Sequence, residues 1–187
     1  KPLTQISEED VWQDATLMRS LLTDIYASLP ENVFNAESHP DRWTDLATHC
    51  LGNRASMPLG EMSKTNDPMS YWNYTGIRDL NIFLERLPDA LILESEKKQM
   101  EGEVRAMRAL IYFMMQQRYG GVPLVDIVID PFSEIDKKYT QRSTEEAIAD
   151  FIDTELESAV ALLTEDISKP GAFNKWSAYT LKARADR

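Results

Sequence analysis

The chain has 187 residues, enough for one sizeable core, and its 43% apolar and 27% charged residues are ordinary globular usage rather than the composition of a disordered segment. A formal charge of −11, from 31 acidic against 20 basic residues, disfavours nucleic acid and anionic lipid headgroups as partners. No apolar run reaches the roughly 18 residues needed to span a bilayer, and the single cysteine, Cys50, cannot form an internal disulfide.

The first helix is expected to be capped by Ser7, with Glu8, Glu9 and Asp10 at the positive end of its dipole. Val11, Ala15, Met18, Leu22, Ile25 and Leu29 then recur at spacings of four and three along one buried face, until Pro30 stops it. From Glu31 to Pro68 the pattern breaks into a long irregular connection rich in prolines and polar residues, with one short helical turn expected around Asp41–Thr48. Loops of this length inside a compact domain are usually functional or disordered.

A second helix is predicted from about Ser70 to Leu87, with Trp72, Ile77, Leu80, Leu84 and Leu87 on one side. The third runs from about Glu96 to Tyr119, with Met100, Val104, Met107, Ile111, Met114 and Met115 inward as core filling. Gly120-Gly121 and then Pro123 form a strong stop, because a glycine takes the left-handed position and the proline cannot continue the helix. Val122 to Phe132 reads as an extended segment, either a short strand or a stretch lying across the helices. A fourth helix is predicted to begin near Ser143 or Thr144, with Ser143-x-x-Glu146 at the spacing of a capping box, and to bury Ala147, Phe151, Leu156, Ala159 and Leu163. A fifth starts near Asn174 and is still running at Arg187, which marks the chain as a piece of a longer protein. The fold class that follows is all-α: TPR-like antiparallel helical hairpins, with a long irregular loop between the first two helices and no internal domain boundary over residues 1–187.

Little in this chain suits catalysis. His39 and His49 are the only histidines, both in the irregular connection, and His49-Cys50 supplies only two of the three or four ligands a zinc site needs. No cofactor or metal is expected. The carboxylates Asp150, Asp153, Glu155 and Glu157 read as a solvated helix face. Trp43, flanked by Asp41 and Arg42, has the chemistry of a saccharide contact: an indole stacks on the apolar face of a sugar while its polar neighbours bond the hydroxyls. Anchoring the loop is an equally good role for it. Trp72 joins these three as a candidate ligand-binding residue, although its place on a predicted helix, like those of Trp12 and Trp176, more often means a core position.

Several stretches resemble one known family. Gly102-Glu103-Val104-Arg105-Ala106-Met107-Arg108-Ala109, then Tyr112-Phe113, then Arg118-Tyr119-Gly120-Gly121-Val122-Pro123-Leu124 is similar to the signature of the SusD/RagB family of outer-membrane lipoproteins. Tyr71-Trp72-Asn73-Tyr74 with Asn81-x-Phe83-Leu84, Arg142-Ser143-Thr144-Glu145-Glu146, and Leu181-Lys182-Ala183-Arg184 resemble its neighbouring helices in the same order. The resemblance implies a surface-exposed, non-enzymatic lipoprotein of the outer membrane, held by an N-terminal lipid anchor that this chain lacks. It also implies binding of an oligosaccharide, or of a peptide in some members, as the partner of a SusC-like TonB-dependent transporter. A peptide- or protein-binding helical scaffold without its own glycan site is the alternative. The family signatures are scaffold residues, so Asp41, Arg42, Trp43 and Trp72 stand as ligand-binding candidates on their chemistry and position alone.

Overall fold

The computed structural model describes residues 8–27, 29, 63, 71–130 and 132–186. Among them lie six α-helices: α1 (Glu8–Val11), α2 (Ala15–Ala27), α3 (Tyr74–Arg86), α4 (Glu94–Tyr119), α5 (Glu145–Leu162) and α6 (Lys175–Ala185). No strand runs through the described residues, so the all-α expectation stands.

The predicted first helix is two helices. Asp14 interrupts it by accepting from the Thr16 and Leu17 amides at 2.7 and 3.2 Å, which makes it the cap of α2 in place of Ser7's single start. The turn at Trp12 also lets that ring meet Phe83 edge-on at 5.4 Å, while its carbonyl accepts from the Leu91 amide. Met18, Leu22 and Ile25 are buried on α2 as their spacing predicts.

α4 is the central element, and its partners pair with it in antiparallel order. Across α4 and α5, Tyr112 meets Phe151, Arg108 meets Glu155, and Gly102 lies against Leu163. Across α3 and α4, Tyr119 bonds the Tyr71 amide, Arg108 bonds Asn81, and Lys97 reaches the Pro88 carbonyl. Lys182 of α6 pairs with Asp153 and Glu157 of α5, which closes a further hairpin. Fully buried Met100, Met107, Met115, Ile111 and Tyr112 fill the space between these helices.

α4 ends where the sequence says it should, with Gly120 at φ 64° and its amide bonded to the Gln116 carbonyl. The chain that follows is extended but not a strand. Tyr112 pins it by donating to the Val125 carbonyl and accepting from the Val125 amide at 2.7 Å, and Asn81 donates to the Val125 and Ile127 carbonyls.

Three further expectations are corrected. Thr144, not Ser143, caps α5 through the Ala147 amide, because the Ser143 amide is committed to the Val122 carbonyl. Glu155 is not on a solvated face: it is 3% exposed and bonded to Arg105 and Arg108. Trp176 is half exposed rather than in the core, since Ala178 and Leu181 carry the buried side of α6.

Candidate functional site

The site is built where α3 begins and α4 ends. Asn73 caps α3 by accepting from the Gly76 amide at 2.9 Å, so Trp72 stands just ahead of the helix instead of on it, as the sequence reading had placed it. Off the helical face, its ring has no core position to enter. It packs on Tyr119 edge-on at 5.1 Å and on Tyr74 at 5.3 Å, and 48% of the residue remains exposed.

Two guanidinium groups flank these rings. Arg142 lies 5.8 Å over the Trp72 ring, and its Nη1 donates to the Tyr119 and Gly121 carbonyls at 3.1 and 2.8 Å. Those carbonyls belong to the C-terminal end of α4 and the turn after it, where the helix dipole favours a cation. Arg118 sits 5.6 Å over the Tyr71 ring and donates to the Met114 carbonyl. The result is an aromatic quartet edged by two fixed cations, on a chain that is acidic as a whole.

Tyr71 and Tyr74 hold their protons more tightly than a free phenol does. Burial raises the Tyr71 pKa, with the Asn73 hydrogen bond and the Arg118 charge opposing it, and burial raises that of Tyr74 well above its ordinary value against the opposing Arg142 charge. Tyr74 donates to the Pro123 carbonyl at 2.6 Å, and the Tyr119 hydroxyl accepts from the Tyr71 amide at 2.8 Å. Two of the rings, Tyr74 and Tyr119, are thereby tied to backbone, and the Tyr71 hydroxyl accepts from the Asn73 side chain, which stiffens the surface on which a ligand would stack. The arrangement offers a π surface and N–H donors for hydroxyl groups; it supplies no activated nucleophile.

Of the predicted ligand-binding residues, only Trp72 falls here. Asp41, Arg42 and Trp43 lie outside the described residues, as do His39, His49 and Cys50. Among the described residues no group of three or more potential ligands could hold a metal ion. Arg142, Arg118, Tyr119 and Tyr74, which surround Trp72 at this candidate site, are not among the residues the sequence singles out for binding. The Tyr-x-x-Tyr flanks of Trp72 and an arginine-tyrosine pair at a helix stop were the available signals. A second exposed pair, Trp176 and Tyr179 with rings 6.3 Å apart, has no cation over either ring among the described residues.

A SusD-like family model, described as starch-binding and associating with the outer membrane, matches residues 4–185. A solved SusD-like protein from Bacteroides fragilis is 28% identical, with a TM-score of 0.74 over 100% of this chain and 37% of its own length. A laminarin-binding SusD-like protein matches at 23% identity and a TM-score of 0.77, covering 92% of this chain and 40% of its own. A SusD superfamily protein from Bacteroides thetaiotaomicron matches at 22% identity and a TM-score of 0.73, covering 93% and 44%. The chain thus spans less than half the length of each of these three. No curated protein matches the sequence.

Proposed function

The chain belongs to the SusD-like family, described as starch-binding and associating with the outer membrane, and from that footing we propose that it binds oligosaccharide without catalysis as part of a surface lipoprotein. In this reading the partner is a SusC-like TonB-dependent transporter, a lipid anchor holds the protein at the outer membrane, and the complex imports the glycan. The observation that carries glycan binding is Trp72: a half-exposed indole, braced by Tyr74 and Tyr119, with Arg142 fixed over its ring. Such a ring stacks on the C–H face of a sugar, and the remaining N–H groups of Arg142 reach its hydroxyls. The laminarin-binding protein of similar fold supports the ligand class. Asp41, Arg42 and Trp43 are proposed to add a second stacking and hydrogen-bonding contact from their own segment.

The test uses the full-length protein: a panel of neutral oligosaccharides, with affinity capture from solubilised outer membranes alongside. Binding of at least one glycan together with recovery of a TonB-dependent transporter is expected. Transporter recovery with no glycan bound, and peptide bound instead, would move the assignment to a peptide-binding scaffold.

A further inference from the structure

We propose that a second saccharide site, built independently of Trp72, lies at the opposite end of α4 in a pocket of about 380 Å³ lined by both polar and apolar groups. The start of α2, the first turns of α4 and the turn joining α5 to α6 line it. Its size falls in the range of about 300–1,000 Å³ typical of small-molecule sites.

The back wall is a closed hydrogen-bond network. Glu103 is fully buried, and its carboxylate accepts from Arg19 Nη1 at 2.8 and 2.9 Å, from the Tyr26 hydroxyl at 3.0 Å and from Gln99 Nε2 at 3.1 Å. Gln99 Oε1 in turn accepts from the amide and hydroxyl of Thr164. The Tyr26 hydroxyl receives the Phe173 amide at 2.8 Å, and the two rings stack. Arg19 and Tyr26 of α2 and Gln99 of α4 bond this carboxylate directly, and through Gln99 and Tyr26 it is linked to the turn joining α5 to α6, so the wall is held in place before any ligand arrives. Only Nη1 of Arg19 is spent on this network; its Nε and Nη2 have no partner among the described residues.

The rim decides the ligand class. Lys169 lines the pocket with Glu96 and Asp166. The Asp166 carboxylate is held by the Ser168 amide and hydroxyl, which keeps it ionised. Any ligand with a net charge meets a like charge on one side. Vicinal hydroxyls, which both donate and accept, satisfy the guanidinium and ammonium as well as the carboxylates. Phe173, partly exposed, gives the pocket an apolar flank for a ring's C–H face. The ligand that fits is a neutral sugar residue.

Gln99 and Tyr119 are separated by roughly 30 Å along α4 at about 1.5 Å per residue, so no single sugar residue touches both sites. The proposal rests on the saccharide reading above for its ligand class, but it stands on its own residues.

Amide hydrogen exchange, read by mass spectrometry on the full-length protein, reports this pocket separately. The probes are neutral gluco-, manno- and galacto-oligosaccharides, with free glutamate and lysine as charged comparators. Slowed exchange over residues 164–173 with at least one neutral probe is expected. The slowing should persist in Trp72→Ala, and in Glu96→Ala/Lys169→Ala it should need about tenfold more ligand. No slowing while glycan binding is intact elsewhere overturns this site and leaves Trp72 standing. Slowing indifferent to the double substitution, lost in Trp72→Ala, or produced only by the charged comparators also overturns it.

Discussion

The Arg108 guanidinium stands 2.7 Å from the Glu155 carboxylate with both residues buried, and the same guanidinium donates to Asn81 Oδ1 at 2.7 Å. One side chain of α4 thereby fastens both α3 and α5. Removing one partner strands a charge away from water, at a cost of roughly 3–5 kcal/mol, whereas replacing the pair by apolar residues of similar volume removes both desolvation penalties. Glu155→Ala is therefore expected to lower unfolding stability in urea by roughly 3–5 kcal/mol. Arg108→Met/Glu155→Leu should lose distinctly less than the single substitution. Equal losses would mean that the pair's geometry, rather than the stranded charge, sets the cost.

Gly121 links stability to the site. A Cβ there would run into the Ser143 carbonyl oxygen, which is backbone and cannot swing away. Gly121→Ala should cost roughly 1–3 kcal/mol or more by overpacking. It should also displace Arg142, the residue before Ser143, and so weaken ligand binding at Trp72. Denaturation and titration on the same variant check both effects. A stable variant with unchanged binding would show that the 121–143 contact does not position Arg142.

Three phenols, Tyr112 fully buried and Tyr26 and Tyr74 partly so, set an alkaline limit. Burial raises the pKa values of Tyr26, Tyr74 and Tyr112 above the ordinary 10.0, with the Glu103 charge adding to the effect at Tyr26. A pKa higher in the folded state means that the folded chain holds the proton more tightly. The corresponding stability is complete below pH 10.0 and falls as pH rises toward the folded values. Unfolding midpoints should therefore drop steadily above that pH. Tyrosinate absorbance should show these phenols ionising only as the chain unfolds. Full ionisation with the fold intact would contradict the packing described around them.

Most of the fold was legible because α4 carries its own punctuation. Apolar residues recur along it at helical spacing, and Gly120 takes the positive φ that the double glycine announces. Asn174 likewise begins α6 with a capping box completed by Ser177. The errors fall where two local solutions compete. Asp14 outdoes a continuous helix by capping α2, and Thr144 displaces Ser143 because Val122, distant in sequence, takes the Ser143 amide. Glu155 read as solvated because acids surround it in sequence, and its two arginine partners come from another helix. The site was half legible for the same reason. Trp72 is visible as an aromatic, but Arg142 reaches it only through the turn that follows α4.

The measurement that bears most directly on the central claim is a calorimetric titration of the full-length protein and its Trp72→Ala variant with a bound oligosaccharide, with Trp176→Ala as the control for an exposed indole elsewhere. Losing a stacked, desolvated aromatic should cost about 1–3 kcal/mol of binding free energy in Trp72→Ala and nothing in the control. Unchanged affinity in Trp72→Ala would contradict the assignment of this aromatic surface as the glycan site.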